Sequence, residues 1–87
     1  MKRNNNFILR ELADKKILVP VGSGALDFNG VVTLNDTAAF LWEKLENEAS
    51  REDLAQRLID EYTVDQETAD KAVDIFIEQM NEVGCIE

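Results

Sequence analysis

The chain has 87 residues, 45% of them apolar, which is enough for one small hydrophobic core but not for two. It has no histidine and a single cysteine, Cys85, so an internal disulfide and a cysteine- or histidine-based metal or iron–sulfur site are excluded. No apolar run approaches the roughly 20 residues of a membrane helix, and no signal-peptide core follows the basic N-terminus. We therefore expect a cytoplasmic protein without a cofactor and without membrane contact.

The net charge of −9 is unevenly distributed along the chain. Residues 1–34 hold five basic and three acidic residues, whereas residues 35–87 hold four basic and fifteen acidic residues. The acidic C-terminal part repels phosphate, which argues against a nucleic-acid partner and leaves a basic peptide or protein as a plausible one.

The first third of the chain has the pattern of β-strands. Residues 1–6 are predicted to be a flexible N-terminus, and residues 7–12 a first strand that ends at a polar turn over residues 13–16. Residues 17–21, rich in branched side chains, predict a second strand. After a glycine-containing turn, Asn29-Gly30 is either a hairpin turn or a bulge, and residues 31–34 predict the last strand.

The apolar period then changes from two residues to about 3.6, which predicts three helices. Asn35 or Asp36 is expected to cap the first helix, and Ser50 opens the second with a capping-box pattern. Asp65 caps the third helix, which is predicted over residues 66–83 and ends at Gly84 in the left-handed conformation. The inward faces are predicted to carry Ala38, Leu41, Trp42 and Leu45; Leu54, Ala55, Leu58, Ile59 and Tyr62; and Ala69, Ala72, Val73, Phe76, Ile77, Met80 and Val83.

One flank of the third helix is uncharged and carries a large apolar residue outside the buried stripe. Thr68, Ala72, Ile75 and Gln79 share this flank by helical spacing. Ile75 either packs on a strand or the N-terminal segment, or forms the apolar floor of a shallow groove opened by the small residues.

Nothing in the sequence predicts enzymatic activity. The carboxylates recur on outer helix faces, and a serine or cysteine nucleophile has no histidine to serve as its base. The negative end of a helix dipole disfavours a thiolate at Cys85. A winged-helix DNA-binding regulator fits the element order, but its third helix would carry Lys71 alone against five acidic residues.

Two sequence segments and the C-terminus resemble the PqqD-like proteins, which include coenzyme PQQ synthesis protein D. The two segments are residues 17–20 and 28–42, and the C-terminal match is residues 81–86. The most telling part is the helix start Leu34-Asn35-Asp36-Thr37-Ala38, which continues as Leu41-Trp42-Glu43-Lys44-Leu45. The resemblance covers residues 7–87 and implies one domain with an α+β, winged-helix-like fold, in which a three-stranded antiparallel sheet precedes three helices.

The same resemblance implies a function without catalysis. PqqD-like modules bind the leader segment of a ribosomally synthesised precursor peptide and deliver it to a separate maturation enzyme, often a radical SAM protein. The leader is expected to add as a strand beside the third strand and to lie on the third helix. This implies a peptide-binding site made of Val31, Val32, Thr33, Leu34, Lys71, Ala72, Ile75 and Gln79.

The residues support this expectation independently, because a three-stranded meander has two strand edges with unpaired backbone groups. The same free edge also allows a third function, a structural dimerisation module that pairs with a second copy of itself.

Overall fold

The computed structural model describes residues 1–22 and 30–87 of the chain. Three strands, β1 (Phe7–Leu12), β2 (Lys15–Pro20) and β3 (Val32–Leu34), precede three helices, α1 (Asp36–Lys44), α2 (Arg51–Tyr62) and α3 (Gln66–Val83). The predicted α+β class and the order of strands and helices are thus confirmed. The question of a turn or a bulge at Asn29-Gly30 involves residue 29, which lies outside the described residues.

The sheet is antiparallel with the order β1-β2-β3. A two-residue turn, in which Ala13 has a φ of 59°, brings Leu12 opposite Lys15. The second strand therefore begins two residues earlier than the sequence predicted, because Lys15 and Lys16 already pair with β1. β3 is one residue shorter than predicted, since Val31 lies outside it.

Each helix begins at a side chain that satisfies a free backbone amide of the first turn. The Asn35 side-chain oxygen accepts a hydrogen bond from Ala38 N at 2.7 Å, and Asp65 accepts one from Thr68 N at 2.8 Å. Ser50 and Asp53 form the reciprocal capping box at 3.1 and 3.0 Å. Gly84, with a φ of 81°, ends α3 as predicted.

The core lies between the sheet and the helices. Its fully buried large side chains include Leu18 of the central strand, Leu41, Leu45, Leu54, Val73, Phe76, Met80 and Cys85. The inward faces of α2 and α3 are narrower than the sequence predicted. Ile59, Ala72, Ile77 and Val83 are half-buried, and Tyr62 is 44% exposed because the last turn of α2 carries it to the rim, where its ring meets Phe40 edge-on.

The two ends of the chain are hydrogen-bonded to each other. Lys2 N donates to Glu87 O at 3.0 Å and Asn4 N to Cys85 O at 2.7 Å, while Arg3 and Ile86 form an antiparallel bridge. The sequence, with a flexible segment expected over residues 1–6, did not anticipate these contacts. They close the end of the molecule where α1 and α3 finish, since Arg3 N also donates to Leu45 O at 3.1 Å.

Candidate functional site

The outer edge of β3 is the strand edge at which the family resemblance implies peptide binding. β2 pairs with one side of β3, from Lys16 opposite Leu34 to Leu18 opposite Val32. Within residues 1–22 and 30–87, no strand pairs with the other side. Val32 and Leu34 are buried and Thr33 is exposed, so the side chains alternate while the backbone groups of this edge face outward.

A shallow cleft opens where β3 passes into α1. Its volume is about 170 Å³, and it lies between the first turn of α1 and the middle of α3. The lining residues are Asn35, Thr37, Ala38, Ala72, Ile75, Phe76 and Gln79. None of them carries a charge, so the cleft can accept an apolar or hydrogen-bonding side chain without burying an unpaired ion. We call it the β3–α3 cleft, after the strand that ends at its rim and the helix that forms one wall; the other wall belongs to the start of α1.

Ile75 is the most exposed apolar side chain of this cleft, with 66% of its surface accessible. A large branched side chain left this open gains about 1–2 kcal/mol when a ligand covers it, since full burial is worth about 1.5–3 kcal/mol. Ala72 and Gln79 flank it half-buried, and Phe76 forms the buried floor. Ile75 thus lies at an open groove and is not covered by a described strand or by the N-terminal segment, but the floor that the sequence predicted at Ile75 is formed by Phe76.

Six of the eight predicted site residues fall into two groups. The structure brings Ala72, Ile75 and Gln79 together in the cleft, and Val32, Thr33 and Leu34 lie on the strand that leads to it. Val31 is 53% exposed just before β3. Lys71 is exposed one helical turn before Ile75 and does not line the cleft.

The wall that α1 contributes was missed by the sequence analysis. Asn35, Thr37 and Ala38 line the cleft, but they were interpreted only as a helix start and a buried face. The short connection between β3 and α1 could have indicated this wall. Because α1 begins two residues after β3 ends, the first turn of α1 must lie beside the end of the β3 edge.

Arg51 fixes the position of α3 from the other side. Its Nε and Nη2 atoms donate to the two Asp74 carboxylate oxygens at 2.6 and 2.9 Å, and its Nη1 lies 3.6 Å from Asp70 Oδ1. The hydrogen bond from Arg51 lowers the pKa of Asp74, and the same bond raises the pKa of the guanidinium. This planar pair ties the start of α2 to the middle of α3, next to Ile75 in the chain.

Cys85 is a poor nucleophile, and the acidic side chains of the described ranges form no metal site. Burial raises the pKa of the Cys85 thiol to about 11, so the thiolate needed for nucleophilic attack does not form near neutral pH. No three His, Cys, Asp or Glu residues of the two described ranges are close enough together to hold a metal ion. No helix among them is long and apolar enough to cross a bilayer.

The fold is shared with two solved structures of peptide complexes. One is TbiB1 in complex with the TbiA(beta) leader peptide, with a TM-score of 0.75 and 20% sequence identity over 100% of this chain and 95% of that chain. The other is lasso peptide synthetase B1 complexed with the leader peptide, with a TM-score of 0.73 and 24% identity over 99% of this chain and 95% of the other. At these identities the similarity establishes a common fold.

The search among curated proteins found no match. The family model of coenzyme PQQ synthesis protein D (PqqD) matches residues 15–86, which include β2, β3, all three helices and every residue that lines the β3–α3 cleft. This chain therefore belongs to the PqqD family.

Proposed function

We propose that this chain is a non-catalytic recognition module that binds the leader segment of a ribosomally synthesised precursor peptide. In the cytoplasm, it then presents the peptide to a separate maturation enzyme, a radical SAM protein or another peptide-modifying enzyme. The observation that carries the proposal is the uncharged β3–α3 cleft directly beside a strand edge without a described partner. Membership of the PqqD family and the fold shared with two leader-peptide complexes support the same function.

Binding has a backbone component and a side-chain component. An extended leader pairs its amide and carbonyl groups with the outer edge of Val32–Leu34, as in other β-strand additions. β3 has only three residues, so this pairing supplies few hydrogen bonds and holds many different sequences equally well. Selectivity comes from an apolar leader side chain that enters the cleft between Asn35 and Ile75.

The exposed acidic residues of α3 affect how fast a binding partner associates. Glu78 and Glu82 are exposed on α3 near the cleft but do not line it. Exposed charges of this kind change mainly the encounter rate, so they favour a basic leader or a basic enzyme surface without fixing the bound geometry. The same acidic surface disfavours DNA binding, because Lys71 is the only basic residue of α3.

A titration of the isotope-labelled chain tests both components. The ligand is a synthetic peptide that spans the N-terminal half of a candidate precursor, a short open reading frame found beside this chain's gene. We expect the largest amide shifts at Val31–Leu34 and along the Ala72–Gln79 flank, with a dissociation constant of about 1 μM or below, equivalent to about −8 kcal/mol. Shifts that cluster on the outer face of α2 would contradict strand addition at β3.

A pair of matched variants tests the cleft itself. Ile75→Glu places a charge in the cleft and should abolish binding, because the bound state would bury an unpaired carboxylate. Leu12→Glu makes the same change at the end of β1, where the side chain is also well exposed at 68%. The proposal requires Leu12→Glu to bind like the original chain, and equal losses in the two variants would remove the site from the cleft.

A further inference from the structure

A second, smaller cavity lies where the end of α2 meets the start of α3. Its volume is about 80 Å³, and its own walls are Leu58, Tyr62, Val64, Thr68 and Ala69. Aliphatic and aromatic groups form most of these walls, and no carboxylate, ammonium or guanidinium group lines the cavity. We call it the corner pocket.

The corner pocket continues the β3–α3 cleft. Thr37 and Ala72 line both cavities, so the two cavities adjoin at two small side chains. Along α3 the cleft is centred near Ile75 and the corner pocket near Ala69, which is about 9 Å of helix at 1.5 Å per residue. An extended peptide covers this distance in two or three residues.

Tyr62 forms the outer rim of the corner pocket. The sequence predicted an inward side chain, yet 44% of its surface is accessible. Phe40 holds the ring edge-on, with 5.5 Å between the ring centroids and 79° between the planes. Of the exposed large apolar residues in the described ranges, Ile75 lines the cleft, Tyr62 lines the corner pocket, and Val31 directly precedes β3.

From this geometry we propose that the corner pocket receives a small aliphatic side chain of the same leader segment, two or three residues from the side chain held in the β3–α3 cleft. This inference rests on the proposed function. Its selectivity follows from size and polarity, because the pocket is small, at about 80 Å³, and no charged group lines it. A leader is therefore read at two apolar anchors, next to the stretch of its backbone that pairs with β3.

The test compares two substitutions at one position. Thr68→Leu fills the pocket, whereas Thr68→Val removes the same hydroxyl without adding bulk. Each variant is titrated with the synthetic N-terminal half of the precursor and with a set of single-alanine versions of that peptide. We expect Thr68→Leu to bind about tenfold more weakly than Thr68→Val, the loss that corresponds to one buried aliphatic side chain.

The alanine set identifies the leader residue concerned. Alanine at one aliphatic position of the peptide should weaken its binding to the Thr68→Val variant about tenfold. The same peptide should bind the Thr68→Leu variant nearly as well as the unchanged peptide does, because Thr68→Leu and the alanine each remove the same contact. Equal binding by Thr68→Leu and Thr68→Val, in a chain whose Ile75→Glu variant no longer binds, would overturn the corner pocket and leave the proposed function intact.

Two further outcomes also decide the question. Failure of the unsubstituted chain to bind the peptide would overturn the proposed function, and the corner pocket with it. A concentration-dependent dimer that Thr68→Leu dissociates, measured by sedimentation without peptide, would assign the pocket to a second copy of the chain and overturn the inference.

Discussion

Ile75 and Val73 are two residues apart on α3, but alanine at each position should affect a different property. Ile75 is 66% exposed and Val73 is completely buried. Full burial of such a side chain is worth about 1.5–3 kcal/mol, and two thirds of the Ile75 surface remains available to a ligand. Ile75→Ala should therefore weaken leader binding by about 1–2 kcal/mol, or roughly 5- to 30-fold.

Val73→Ala is the matched core substitution on the same helix. It removes two methyl groups at about 0.8 kcal/mol each and leaves a small cavity, so the free energy of unfolding should fall by about 2 kcal/mol. Its affinity for the leader should stay unchanged while the protein is folded, because Val73 does not line the β3–α3 cleft. Ile75→Ala should change the free energy of unfolding by less than about 1 kcal/mol.

Urea unfolding and isothermal titration calorimetry measure the two quantities separately. The reasoning is refuted if Ile75→Ala binds the leader as tightly as the original chain. It is refuted equally if Val73→Ala, at a temperature where it is fully folded, loses as much affinity as Ile75→Ala, because the cleft would then depend on core packing rather than on the exposed side chain.

The remaining predictions concern local structure and titration. Ser50→Ala breaks the capping box with Asp53 and should lower the free energy of unfolding by about 1 kcal/mol in urea; an unchanged midpoint contradicts this. Cys85, with its pKa raised to about 11, should escape iodoacetamide at pH 8 until urea unfolds the chain, and labelling of the folded chain in mass spectra would show that the thiol is accessible. Hydrogen bonds from the side chain and amide of Thr68 lower the pKa of Asp65, and the Arg51 guanidinium lowers that of Asp74. Both carboxylates stabilise the fold above the pKa of about 3.9 that they have in the unfolded chain, and this stabilisation is lost as the pH falls through their lower pKa values in the folded chain. The melting temperature should therefore drop below pH 4. The drop should be less steep in Asp65→Asn.

The helices could be predicted from the sequence because their signals are local. Asn35, Ser50 and Asp65 each lie within a few residues of the amides they cap, and the change of apolar period marks where strands give way to helices. The uncharged flank around Ile75 followed from helical spacing, which left open whether Ile75 is covered. Its opposite wall at Asn35 and Thr37 did not, because it depends on how α1 packs against α3.

Contacts between distant parts of the chain account for the other differences. The pairing of Arg3 with Ile86 joins residues that no local pattern relates. The direction of Tyr62 depends on where α2 stops touching its neighbours, which the apolar period does not encode. Helical spacing placed Thr68 and Ala72 of the corner pocket on one flank of α3. Its other walls, Leu58, Tyr62 and Val64, depend on how α2 packs against α3.

The short length of β3 also affects behaviour at high concentration. A long, flat, unpaired edge recruits identical chains and leads to fibrils, and natural sheets avoid this by keeping their outer strands brief. The three residues of β3 offer too few backbone hydrogen bonds to hold an identical chain that brings no side-chain anchors. Concentrated stocks should therefore resist self-polymerisation through this edge, while an incoming chain that brings matching apolar groups is still accepted.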